Sequence, residues 1–426
     1  MRYVSTRKGS PALAFSGAVA ASMAPDGGLY VPERFPRFKP EDFEGLNGLS
    51  EIAERLLAPF FENDPLAAEL HAICSEVFTF PIPLRKLPHA VLQSDTSVLE
   101  LFHGPTAAFK DVGARFLAAC LSRHPAPGTR TVLVATSGDT GGAVAAAFHG
   151  RPGFEVVILF PKGKVSARQE KQLTAWGGNV RAFAVRGDFD DCQRVVKQAF
   201  ADEPWRKTRA LVSANSINIG RLLPQSVYYA AASLWSARMS PGSPAGFVVP
   251  TGNLGNAVAA LWALKMGFPV GRVALATNAN RPISDYFASG VWKPAATVST
   301  LANAMDVGNP SNIERLLCLY PALDDLKADT CTAAVPDPLI AATIREAALH
   351  GEVFCPHTAV AAHVRRGLRE PGWIIVATAH AAKFDTIIEP LIGRKIEVPP
   401  SLAAILARPS QVVEIEPSLE ALVGAI

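Results

Sequence analysis

The sequence predicts an α/β fold of two open, twisted, mostly parallel α/β units with a helical N-terminal segment. Three observations carry this reading. From about residue 130, short β-rich runs alternate with helical patterns. Most of the runs are apolar from end to end, as parallel strands covered on both faces require. Three of them end in polar, glycine- or histidine-bearing loops, TSGDTGG, TGNLGN and TAHAAKFD.

Taken in order, residues 1–94 read as a mainly helical segment associated with the larger unit. Arg2, Arg7 and Lys8 precede PALAFSGAVAASMA, which has the outline of a signal peptide. Ser16, Gly17 and Ser22 interrupt its apolar run, however, and it continues through PDGGLYVPE, a turn leading into a strand. It is therefore expected to be folded structure in a cytoplasmic protein. No uninterrupted apolar segment is long enough for a bilayer, so no membrane partner is expected. The expected strands are 131–136, 155–160, 179–185, 210–214, 246–250, 272–277 and 373–378. Helix-like stretches such as SARQEKQLTAWG and NAVAALWALKMG lie between them. DFDDCQRVVKQAFADE opens with acids and carries Lys197 later, matching the helix dipole. MSPGSPAG (239–246) reads as the linker between a first unit, 95–238, and a second, 239–426.

The bulk numbers narrow the class. A chain of 426 residues, 49% hydrophobic and 19% charged with a formal charge of +3, is globular rather than disordered. It has no basic run, so no nucleic-acid partner is expected. Its six cysteines are scattered without a CxxC, which disfavours structural zinc and a disulfide framework; no metal is expected.

Ligands of open α/β sheets sit beyond the carboxyl ends of the strands, where the polar loops converge. In TGNLGN, Gly252 and Gly255 permit a tight backbone turn whose amides meet the start of a helix. That is either a phosphate cradle or only a turn. SGDTGG (137–142) offers Ser137 and Thr140 hydroxyls for a carboxylate or phosphate oxygen, or an ordinary helix cap by Asp139 or Thr140. NSINIGR brings Asn215, Asn218 and Arg221 together, for an anion or merely a helix start. The dinucleotide and P-loop glycine fingerprints are both missing. HGPTAAFKD puts Lys110 at the mouth of a helix, either as a solvated surface charge or, since dipole and desolvation favour the free amine, as the nucleophile of a Schiff base. A lysine, a phosphate cradle and a second anion socket together suit pyridoxal phosphate, which carries one aldehyde and one phosphate.

These same residues carry a family resemblance. HGPTAAFKD, ATSGDTGGAVAAAF, PKGKVSARQEKQLT, SANSINIGRLLPQ, PTGNLGN, NAMDVGNPSN and ATAHAAKFD resemble the threonine synthase family nearly end to end. The family has the tryptophan-synthase-β fold, fold type II of pyridoxal-phosphate enzymes. The resemblance implies a carbon-oxygen lyase that converts O-phospho-L-homoserine and water to L-threonine and phosphate, the last step of threonine biosynthesis. The related alternative is a phospholyase that eliminates phosphate from a phosphorylated amino acid without forming threonine. By the same resemblance, Lys110 is the Schiff-base lysine and catalytic base. Gly252, Asn253, Leu254, Gly255 and Asn256 cradle the cofactor phosphate, Thr378 meets the pyridine nitrogen, and Asp139 lies near the phenolic oxygen. Ser137 and Thr140 hold the substrate carboxylate, while Asn215, Asn218 and Arg221 face its phosphate. Leu254 and Asn256 depart from the family's usual Phe and acid, and Ala381 from its usual proline. Monomers and homodimers both occur among relatives.

Overall fold

The computed structural model describes residues 1–92, 95–126, 128–240 and 242–426. Its strands are β1 (Tyr3–Ser5), β2 (Tyr30–Pro32), β3 (Leu84–Lys86), β4 (Thr96–Glu100), β5 (Arg130–Ala135), β6 (Phe154–Pro161) and β7 (Val180–Val185). They continue with β8 (Ala210–Ser213), β9 (Ala245–Pro250), β10 (Val270–Thr277), β11 (Thr330–Ala334), β12 (Trp373–Ala377) and β13 (Val413–Ile415). A six-stranded sheet runs β11-β10-β9-β12-β4-β3, and a five-stranded sheet runs β13-β7-β6-β5-β8. Every pair in them is parallel except β3 with β4. All seven strands expected from the sequence are present, with ends shifted by a residue or two.

The apolar runs are explained by burial on both faces. In β5, Val132 and Val134 join the core between the sheets, while Leu133 and Ala135 pack under the helix Phe189–Ala201. In β9, Phe247 and Val249 face that same central core, and Val248 packs on the other side with the helix Pro356–Arg366.

The sheets do not follow the division 95–238 and 239–426. β4 leaves the first stretch to pair with β12, and β13 leaves the second to pair with β7. Strand-forming character is local, but the partner a strand takes is set by long-range packing, so the linker does not delimit the sheets. Pro241 of that linker and Ser94 at the first boundary lie outside the described residues.

The N-terminal segment is folded as expected and carries its own two-stranded antiparallel sheet, β1 with β2. The signal-like stretch forms the helix Phe15–Ala21, with Phe15 buried against Phe61 and Phe116. Arg315 fixes the segment to the sheets, because its buried guanidinium donates to the carbonyls of Tyr30, Ser216 and Ile217. Four of the six cysteines are buried, none is in a disulfide, and no metal-binding cluster exists among the described residues. Among those residues no helix is long and apolar enough to cross a membrane.

Because Phe15 packs on Phe116 of the helix Lys110–Arg123, the segment should unfold together with the sheets. Phe15→Ala is expected to cost about 3–5 kcal/mol and to keep a single transition in chemical denaturation. A separate early transition would mark the segment as an independent lobe.

Candidate active site

One cavity between the sheets collects most of the residues singled out in the sequence. It is lined by Lys110, Ser137, Asp139, Thr140, Asn215, Arg221, Gly252, Asn253, Leu254, Gly255, Asn256 and Thr378. Asn218 is not among its lining residues. The Asn218 carboxamide donates to Val19 O, Ser22 Oγ and Ser213 O and accepts from the Gly220 amide, so it anchors the helix start instead.

Lys110 opens the helix Lys110–Arg123, and the loop before it is stitched to the end of β12. Leu101 N–H donates to Ala377 O (2.9 Å), Phe109 N–H to Thr378 O (2.8 Å), and His380 N–H to Ala107 O (3.0 Å). Ala107 sits at φ 54°, a left-handed turn that costs a non-glycine residue about 1–2 kcal/mol. Lys110 Nζ makes no hydrogen bond or ion pair among the described residues. Burial pushes its pKa down to about 8, helped by Lys383 and Arg221 and opposed by Asp139.

The SGDTGG loop follows β5, and Gly138 adopts φ 131°. Neither Asp139 nor Thr140 caps the helix Asp139–Phe148. Thr136 does so, its hydroxyl accepting from the Gly138 and Gly141 amides at 3.0 and 2.9 Å. The Ser137 and Thr140 hydroxyls are thereby left without a partner among the described residues. The Asp139 carboxylate accepts from Lys383 Nζ (2.9 Å) and Gln169 Nε2 (3.0 Å). Burial alone would raise its pKa, but Lys383, Lys110 and His357 outweigh this and hold it well below the usual carboxylate range.

The TGNLGN turn follows β9. A Cβ on Gly252 would lie 2.6 Å from the Met305 backbone, so only glycine fits there. Leu254 is left-handed at φ 61° and opens the helix Gly255–Lys265, whose first amides have no acceptor within the helix. Asn256 Oδ1 accepts from both Tyr228 (2.6 Å) and Tyr229 (2.9 Å) hydroxyls, leaving its buried Nδ2 without a partner among the described residues. Asn253 donates from Nδ2 to Ser216 Oγ (2.7 Å), which ties the cradle to the SANSIN segment. Unsatisfied amides at a helix start and an orphaned carboxamide fit a phosphate dianion. With an unpaired amine and the uncommitted Thr378 hydroxyl beside them, they fit pyridoxal phosphate.

Arg221 is buried and pairs with no carboxylate among the described residues. Its Nη1 donates to Ala214 O, and its Nε has no partner among the described residues. Burial lowers its pKa to about 10, partly offset by Asp111. An uncompensated buried guanidinium facing a cavity is costly unless an anion binds. Asn215 lies near, its Nδ2 held by Ala135 O at 2.8 Å.

The family of pyridoxal-phosphate dependent enzymes matches residues 78–378, the threonine synthase N terminus 2–78 and the threonine synthase C-terminal region 358–426. The chain belongs to the threonine synthase family. A threonine synthase of Haemophilus influenzae is 40% identical, with 91% of this chain and 90% of that protein covered. The crystal structure of threonine synthase from Escherichia coli superposes with TM-score 0.91 at 37% identity, covering 100% of this chain and 99% of that one. A PLP-bound threonine synthase structure from Brucella melitensis gives 0.90 at 33%, covering 100% and 98%. The architecture is accordingly fold type II of pyridoxal-phosphate enzymes.

Several lining residues of this threonine synthase family member are not assigned to the site by the sequence, in which Lys197 reads only as a match to its helix dipole. Lys197 lines the cavity with Phe189, Gln193 and Val196, one face of the helix Phe189–Ala201. Its i, i+4 spacing from Gln193 was the available signal. His357 also lines the cavity, its Nε2 accepting from the Ala304 amide at 3.1 Å. Burial pushes its pKa down to about 4, with Lys110 and Lys383 adding to the effect and Asp139 opposing it.

The folded pKa of His357 lies below the ordinary value of about 6.5. Its contribution to stability is thus complete above pH ~6.5 and is lost as pH falls towards ~4, by on the order of 3 kcal/mol. His357→Gln keeps an acceptor for Ala304 and removes the titration. Denaturation series at pH 6.5 and 4.5 should show a smaller acid loss in the variant; equal losses would mean that folded His357 takes up the proton.

Proposed function

We propose that the protein converts O-phospho-L-homoserine and water to L-threonine and phosphate. The observation that carries this reading is the company Arg221 keeps. Among the described residues, a buried guanidinium without a carboxylate shares one cavity with an unpaired lysine, an amide cradle and free hydroxyls. One anion subsite serves the cofactor phosphate, and two remain for a substrate with a carboxylate and a phosphate.

In this reading the amides of Gly252–Asn256 and the Asn256 carboxamide hold the cofactor phosphate. Thr378 and Asp139, which line the same cavity, would hold the cofactor ring, Thr378 as a hydroxyl partner for its nitrogen. Bound pyridoxal phosphate supplies a conjugated electron sink beside the substrate Cα. A hydroxyl partner, unlike an acid, does not enforce protonation of the pyridine nitrogen. Ser137 and Thr140 orient the substrate carboxylate, and Arg221 with Asn215 takes the γ-phosphate, while Asn218 secures Arg221's helix from behind.

Lys110 is the base. Its lowered pKa gives a larger neutral fraction near neutral pH than an ordinary lysine has. The amine removes the Cα proton, and loss of a Cβ proton then expels the γ-phosphate by C–O cleavage. A proton returned to Cγ, water added at Cβ and a proton restored to Cα complete threonine. Arg221 compensates the charge of the departing phosphate from a buried position.

Product analysis by mass spectrometry tests the assignment. Threonine and phosphate are expected in equal amounts from O-phospho-L-homoserine; a 2-oxo acid without threonine would make the protein a phospholyase. Lys110→Ala should lower turnover by at least ~10³-fold and abolish borohydride fixation of the cofactor.

A further inference from the structure

The mechanism uses one lysine and leaves a second unexplained. Lys383 is fully buried, its ammonium meeting Asp139 Oδ1 at 2.9 Å and donating to Thr106 O at 2.8 Å. These contacts come from three separate parts of the chain. Lys383 follows β12, Asp139 follows β5, and Thr106 lies in the loop before Lys110. One ammonium therefore joins both sheets and the Lys110 loop at a single point. The backbone around it is clamped as well. Ser166 Oγ donates to Lys383 O (2.8 Å), Arg168 Nη1 donates to Ala382 O (2.6 Å), and Arg168 Nε meets Asp385 at 3.1 Å.

Asp139 is the one acid among the described residues lining the cavity, and two lysines compete for it. Both act on it electrostatically, yet Lys383 alone pairs with it directly. Gln169 Nε2 donates to the same Oδ1 that Lys383 meets. The charges that bear on Lys110 are Asp139, Lys383 and Arg221; His357 stays neutral across the physiological range. Lys383 also bears on Asp111, whose carboxylate accepts from the Thr106 hydroxyl and amide. A buried carboxylate without its partner is strongly destabilising. If Lys383 were removed, Lys110 would be the remaining lysine acting on Asp139, and pairing would draw the amine out of place and keep it charged.

We propose that Lys383 is a positioning residue for the lyase reaction: it occupies Asp139, so that the Lys110 amine stays unpaired and available to the cofactor aldehyde and the substrate. This rests on the reading of Lys110 as the Schiff-base lysine.

The test is the pH dependence of covalent capture of pyridoxal phosphate by the apoenzyme, followed by the near-visible absorption gained. The borohydride-fixed product is mapped to its residue. In Lys383→Met the midpoint should move upward by about one pH unit or more, so that capture at pH 7 slows ~10-fold. Asp139→Asn alone should move it downward. The double variant should fall back below Lys383→Met, because the carboxylate that captures Lys110 is gone. A wild-type midpoint in Lys383→Met, or a double variant that keeps the upward shift, would overturn the proposal and leave Lys383 a structural tie. Should Lys383→Met fail to fold, Asp139→Asn decides alone, since an unchanged or raised midpoint contradicts the proposal. Fixation on a lysine other than Lys110 would overturn the Lys110 reading itself and the proposal with it, whereas fixation on Lys110 with unmoved midpoints would overturn the proposal alone.

Discussion

The site depends on β4 lying beside β12 in parallel. The register sets Thr96 against Trp373 and Glu100 against Ala377, so two segments remote in sequence end at the same level. The chain leaving β4 carries Lys110, and the chain leaving β12 carries Thr378 and then Lys383. Backbone hydrogen bonds from Leu101, Phe109 and His380 fix the two exits against each other. The distance between the amine and the hydroxyl is thus governed by a strand ladder rather than by flexible loops. Placing reactive groups on rigid backbone in this way keeps their geometry within the narrow tolerance that catalysis needs.

Around that frame, electrostatics divides the work among like residues. Two lysines and an arginine lie close together, and burial makes each costly. Among the described residues, Lys383 has a carboxylate, Arg221 only a carbonyl, and Lys110 neither. The first is paired with Asp139, the second awaits an anion, and the third is pushed towards its neutral form. The left-handed Ala107 and Leu254 sit at the two turns that present the amine and the phosphate cradle. Strain at such positions persists only where the surrounding packing enforces it.

Much of this was legible in the sequence because the signals were local. Double-sided burial of β5, β6, β9, β10 and β12 writes itself as continuous apolar runs, and the glycine turns mark their ends. β11, at a sheet edge, reads TCTAA and is only partly buried, so its signal is weak; β3 is three residues of LRK. The sheet membership of β4 and β13 was hidden because pairing across hundreds of residues leaves no local trace. Most of the candidate ligands do line the cavity, since each sits on a strand-end loop. Asn218 stands two residues past Ser216 with its side chain on the far side, a distinction that composition does not encode. Lys383 and His357 were visible as residues but not as parts of the site, because their relevance comes from Asp139 and Ala304 meeting them in space.

In the proposed reaction this cavity cleaves the Cγ–O bond and adds water at Cβ. Turnover of O-phospho-L-homoserine in ¹⁸O-labelled water tests it most directly. One ¹⁸O is expected in the β-hydroxyl of threonine and none in the phosphate released. Label in the phosphate, with homoserine as the organic product, would mean P–O hydrolysis and would contradict it.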